Sequence, residues 1–147
     1  MMHTKRWIPG LAATAVLLTG GGTAFADTST PPTVSTAHAT TTAASCNGNN
    51  CNGRDPIQAG CSGDAVTQYT LGTSVGTLEH RYSRTCNASW ARITNSRAGT
   101  WFYVQGCYNS YVQTYNVPPG YNNAYTNMIP GGGPTIRVGD LAGHGPC

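Results

Sequence analysis

From residue 46 onward, apolar and polar residues alternate in short bursts, and no stretch repeats at helical spacing. Residues 65–71 are rich in β-formers and stop at Gly72. Residues 75–83 alternate, with Leu78, His80 and Tyr82 on one face and Thr77, Glu79 and Arg81 on the other. Residues 89–94 set Trp90, Arg92 and Thr94 opposite Ala91 and Ile93. Segments 101–105, 111–115, 125–129 and 135–138 are the next strand candidates. Gly, Pro and Asn punctuate them at 96–99, 118–120 and 130–134. Several short strands at this spacing predict an all-β fold, a small sandwich or barrel. Residues 46–63, rich in Asn and Gly, predict an irregular loop held by disulfides.

The N-terminus carries a different pattern. His3, Lys5 and Arg6 precede an apolar run from Trp7 to Leu18, and Ala24-Phe25-Ala26 follows. That order is a secretory signal peptide over residues 1–26. A membrane-spanning helix needs about 20 apolar residues; this run is shorter and gives way to Gly20-Gly21-Gly22. Cleavage after Ala26 is expected to release the chain. No cysteine near the cleavage site offers a lipid anchor, no Leu-Pro-x-Thr-Gly tail is present, and no membrane contact is expected afterwards. Residues 27–45 are mostly Ser, Thr, Ala and Pro, too poor in apolar surface to offset their ordering entropy. They are expected to form a disordered linker or propeptide ahead of one secreted, Cys-rich β domain at 46–147.

All six cysteines fall in that domain: Cys46, Cys51, Cys61, Cys86, Cys107 and Cys147. An even number in a small exported domain predicts three disulfides. Each contributes about 2–4 kcal/mol, a large share of a net stability of about 5–15 kcal/mol. A bridge from Cys107 to Cys147 would pin the chain end, leaving the other four to pair among themselves. Zinc competes for the same residues, with His80 and His144 at hand. Zinc sites favour tighter cysteine pairs in reducing compartments, so no metal and no other cofactor is expected.

Charge narrows the partners. The chain carries +3, but Lys5 and Arg6 belong to the signal peptide. The domain sets Arg54, Arg81, Arg84, Arg92, Arg97 and Arg137 against Asp55, Asp64, Glu79 and Asp140. So near-neutral a domain lacks the basic stripe that nucleic-acid binding requires.

One set of motifs is distinctive: Cys46-x4-Cys51-x-Gly53-x-Asp55-Pro56, then Gly60-Cys61-x2-Asp64-Ala65, then Glu79-His80-Arg81-Tyr82-Ser83-x2-Cys86-x3-Trp90-Ala91-Arg92-Ile93. Together they resemble the actinobacterial secreted domain of unknown function 2690, which reads Glu-Leu-Arg-Tyr-Ser, Cys and Trp-Ala-Arg in the last segment. Thr126-x-Met128 and Ile136-Arg137-Val138 echo its closing segment. His80 and Arg84 depart from the family pattern, which favours Leu and Pro there, and Cys107 and Cys147 stand as additions. The resemblance implies secretion, an actinobacterial source and a small Cys-bridged domain. It implies no reaction.

Candidate chemistry is thin. No Gly-x-Ser-x-Gly elbow and no phosphate-cradling loop is present. Asp55-Pro56 reads as turn chemistry, His80 as a packed strand residue, and Trp90 as core against a disulfide or the facing sheet. Catalytic residues are therefore not assigned. Glu79 can pair with Arg81 on its own strand or Arg92 across the pair, fixing register; the other reading makes Arg81 and Arg92 a ligand-binding pair. The tyrosines are the compositional oddity. All eight lie in the domain, and Tyr103, Tyr108, Tyr111, Tyr115, Tyr121 and Tyr125 crowd a span rich in Asn, Gln and Ser. Tyrosine offers large amphipathic contact area at low entropy cost, which suits recognition, although alternation also sends some rings inward. The expected function is a secreted, non-enzymatic binding domain acting at or outside the cell envelope, its partner wall glycan or another exported protein. The alternative is a small secreted hydrolase or hydrolase inhibitor. The hydrolase would join His80 or His144 to a carboxylate in a concave site. The inhibitor would present a rigid exposed loop at 116–123.

Overall fold

The computed structural model describes residues 43–147. The signal peptide expected at 1–26 and most of the linker expected at 27–45 lie outside the described residues. Eight strands run in order: β1 (Val66–Thr73), β2 (Gly76–Ser83), β3 (Ala88–Thr94), β4 (Trp101–Gly106), β5 (Val112–Asn116), β6 (Ala124–Tyr125), β7 (Ile129–Pro130) and β8 (Ile136–Asp140). They form two antiparallel sheets. One runs β1-β2-β3-β6, with β7 pairing the same edge of β3; the other runs β5-β4-β8. The all-β expectation holds, and neither sheet closes into a barrel.

Alternation explains the stacking of the sheets. Leu78, Ala91 and Ile93 project from the first sheet, and Phe102, Val104, Ile136 and Val138 from the second, into one buried cluster. Burying each large side chain contributes about 1.5–3 kcal/mol. The β1–β2 hairpin closes at Gly76, whose φ of +153° lies outside the usual L range. A Cβ there would meet the Thr94 carbonyl at 2.9 Å, so glycine is required on steric grounds as well.

The opposite face of the first sheet is covered differently. Ala88 and Trp90 alternate outward from Ala91 and pack with Cys51, Ala59, Cys61, Cys86 and Met128. The covering segment has little regular structure beyond one 3-10 turn at Gly48–Cys51. Disulfides hold it: Cys46 joins Cys51 and Cys61 joins Cys86, while Cys107 joins Cys147 at the chain end. Trp90 thus packs beside the disulfides.

The strand expected at 125–129 is broken into β6 and β7. The reason is a change of partner midway. Thr126 still bonds β3, its N–H reaching the Ala91 carbonyl at 2.9 Å. Met128 turns instead to the cysteine loop, donating to the Arg54 carbonyl and accepting from the Gly53 N–H, both at 2.9 Å. The turn buries the Met128 side chain among the disulfides, a gain that straight pairing with β3 would forgo.

Candidate functional site

Where β5 of one sheet meets β6 of the other, the seam opens into a groove of about 240 Å³. Tyr115, Tyr121 and Tyr125 line it with Pro118, Asn123, Asn127 and Asp55. Each ring is positioned by a different element. Tyr115 lies on β5 opposite Phe102 and meets its ring edge-on, centroids 6.4 Å apart. Tyr121 follows the Pro118-Pro119-Gly120 turn, its N–H bonded to the Pro118 carbonyl at 3.2 Å. Buried Val117 anchors that loop, its N–H bonding the Thr100 carbonyl at 3.0 Å and its carbonyl accepting from Gly99 at 2.8 Å. The far end is tied by the Ser96 N–H on the Asn122 carbonyl at 2.9 Å. Tyr125 ends β6 opposite Arg92.

The tethers leave two rings open, while Tyr125 is half-buried against the cysteine cluster. Tyr115 is 46% exposed and Tyr121 62% exposed. Asp55 forms the polar pole. One carboxylate oxygen accepts from the Ile57 and Gln58 N–H groups at 2.8 and 3.0 Å, the turn chemistry its sequence indicates. The other accepts from the Tyr125 hydroxyl at 3.2 Å. Burial, then the Asp55 charge, pushes the Tyr125 phenol above its usual pKa, so it stays a donor. A polar hollow of about 460 Å³ continues the groove, sharing Asp55 and Asn127 and adding Ser45, Arg54 and Gln58. Chemically, this is a set of aromatic faces beside amides that both donate and accept and one carboxylate that accepts. Among the described residues, Asp55 is the only carboxylate lining the groove, and no histidine lines it.

The other tyrosines lie elsewhere. Tyr103 packs against Trp101 at a tilt of 39°, centroids 5.3 Å apart, on the side of β4 opposite buried Phe102 and Val104. Tyr108 is 80% exposed on the turn after β4. Tyr111 packs against the inter-sheet core. Arg81 and Arg92 do not line the groove. Arg92 meets Glu79 at 2.8 Å directly across β2 and β3. Arg81 lies 3.8 Å from Glu79 and donates to the Thr67 hydroxyl and the Ala65 carbonyl. Both guanidiniums thus meet Glu79 on the β2–β3 face, and Arg92 keeps 45% of its side chain exposed.

Among the described residues neither histidine forms an ion pair with a carboxylate, and His80 lines a separate hollow with Tyr69, Pro146 and Cys147. His80 is buried and its Nε2 lies 2.8 Å from the Ser89 hydroxyl, which itself donates to the Gly131 carbonyl. With the Ser89 proton directed at the Gly131 carbonyl, Nε2 is the donor to Ser89 Oγ in this arrangement. Burial lowers the His80 pKa to about 4. The His144 ring bonds only the Gly145 carbonyl among the described residues. The 116–123 loop is tethered by backbone bonds at Val117 and Asn122 and forms a wall of the groove.

A family profile matches residues 49–136, more than half of the chain. The chain belongs to the family described as protein of unknown function (DUF2690). No curated protein and no solved structure matches it. The DUF2690 segment runs well past Ile93, where the specific motifs end. It contains every residue that lines the tyrosine groove, and it leaves out Cys46 and Cys147. Sequence reasoning named the three groove tyrosines among six candidates, and the fold brings the three into one groove. It missed Asp55, Asn123 and Asn127, because a turn-forming Asp and loop Asn residues carry no signal of where the fold aims them.

Proposed function

We propose that this DUF2690 protein is a secreted, non-enzymatic binding domain, and that the tyrosine groove takes sugar rings of cell-wall glycan. One observation carries the reading: three tyrosines on separate elements converge on one open groove with a single carboxylate and two amides. Tyrosine faces stack on the C–H faces of a sugar, and the polar rim satisfies its hydroxyl and amide groups. General acid–base hydrolysis of a glycan uses a pair of carboxylates, and the groove offers one. Three disulfides fit an oxidising compartment. Among the described residues no helix is long and apolar enough to cross a membrane. Release by the signal peptide and an actinobacterial source belong to the same reading.

The test is co-sedimentation with purified, protein-free cell wall, followed by titration with soluble wall oligosaccharides. Tyr121→Ala is expected to weaken binding about 10-fold, from the loss of one stacked ring at up to ~1.5 kcal/mol, with unchanged thermal stability. No retention on cell wall, together with capture of an exported protein by the same groove, would replace the glycan with a protein partner.

A further inference from the structure

Four sulfur atoms gather beside Trp90. The Sγ atoms of Cys46, Cys51, Cys61 and Cys86 all lie within 4.8 Å of one another. They belong to two disulfides packed against each other, with Cys46 Sγ 3.9 Å from Cys61 Sγ. A tetrahedral zinc with Zn–S bonds of about 2.3 Å sets its sulfurs about 3.8 Å apart. The contact between the two bridges is already at that spacing. Once reduced, each bonded pair has to part by only about 2 Å to reach it.

The surroundings favour this. Cys51, Cys61 and Cys86 are fully buried under Trp90, Met128, Ala59 and Ala88, an apolar shell that keeps water from competing. Cys46 is half-buried and provides the way in. Three of the four sulfurs come from the irregular loop, whose backbone is held by short-range turn bonds such as Arg54 N–H to the Cys51 carbonyl and Cys61 N–H to the Pro56 carbonyl, so the sulfurs can part by side-chain rotation while the loop keeps its place. Cys107 and Cys147 stand outside the cluster.

We infer that Cys46, Cys51, Cys61 and Cys86 form a redox-gated metal site, closed as two disulfides when oxidised and holding one zinc ion through four thiolates when reduced. Two equivalents of a dithiol supply the four electrons. Each dithiol breaks one S–S bond, leaves two protein thiols and becomes a cyclic disulfide. One Zn²⁺ then forms four Zn–S bonds and displaces four protons. The spacing along the chain argues against zinc; the fold supplies the tetrahedron that the spacing does not.

The experiment uses the purified full chain, reduced with a dithiol that is then removed without air, and titrated with Co²⁺. The expected result is one equivalent bound, with the intense visible bands of tetrahedral cobalt–thiolate, displaced by one equivalent of Zn²⁺. The oxidised chain is expected to show no such bands. Cys107→Ser with Cys147→Ser keeps the full equivalent. Cys61→Ser weakens cobalt binding by more than the ~10–100-fold that loss of a merely supporting partner costs. Cys46→Ser, at the half-buried corner, does the same with the least disturbance to packing. A reduced chain without tetrahedral bands overturns the inference, folded or not. So does full-affinity binding in both Cys61→Ser and Cys46→Ser.

Discussion

The two apolar clusters lie on opposite faces of the β1–β2–β3 sheet and are built in opposite ways. Between the sheets, regular strands bring large side chains together, and the backbone polar groups are satisfied by the ladders themselves. On the other face, a loop with almost no regular structure covers Ala88 and Trp90. It contributes small residues and sulfur, and covalent bonds hold it in place. The contrast shows how a small domain completes its core. A sheet has two faces, and this chain has only enough strand to cover one. Cysteines close the other, replacing packed area with a lower entropy of the unfolded chain.

The largest expected effect breaks the first cluster. Phe102→Ala empties the centre of the inter-sheet core and is expected to cost about 3–5 kcal/mol. Chemical denaturation measures it, and hydrogen exchange is expected to accelerate in both sheets together. The paired change Cys61→Ser and Cys86→Ser breaks the second cluster. Opening a link of sequence separation 25 is expected to cost about 3.5 kcal/mol from chain entropy. Here the exchange pattern is the sharper test: residues 46–63 lose protection while β4 and β8 keep theirs. Equal loss in both sheets would mean that the two faces fold as one unit.

Acid separates the faces without mutation. His80 lies on the inter-sheet side and stays neutral in the folded chain down to about pH 4. The unfolded chain takes up that proton near pH 6.5. Its contribution is therefore complete above pH 6.5. As pH falls from there toward 4, stability drops by up to roughly 3 kcal/mol. Thermal unfolding across this range reads the slope. His80→Leu, which installs the residue the family favours, is expected to flatten it.

The smallest effect lies where the cysteine loop stops. Arg92 shares the Trp90 face but is 45% exposed in its side chain, so its bridge to Glu79 is solvent-screened. Arg92→Met is expected to cost under about 1 kcal/mol and to leave glycan binding intact. A stable Arg92→Met protein that no longer binds wall material would move the ligand from the tyrosine groove to this face.

Much of the fold was readable in the chain, because strand periodicity is local. Alternation of Leu78, His80 and Tyr82 against Thr77, Glu79 and Arg81 predicted the face each residue takes, and the pairing of Glu79 with Arg92 followed once β2 and β3 met. The broken strand at 125–129 was not readable, since Met128 leaves β3 for a partner more than 70 residues earlier, at Gly53 and Arg54. Likewise the crowded tyrosines were visible as composition, but composition does not say which of them share a wall.

What the sequence determined by itself was the class of molecule: short alternating strands, six cysteines in one domain and a near-neutral charge. These depend on residue type and on neighbours within a few positions. What only the tertiary structure decided was which distant residues meet. Tyr115, Tyr121 and Tyr125 join Asp55 because two sheets and a stapled loop converge at one seam. Four sulfurs converge because two disulfides, each with its own spacing, pack on one tryptophan. Both meetings are set by how layers stack, and stacking depends on the whole chain at once.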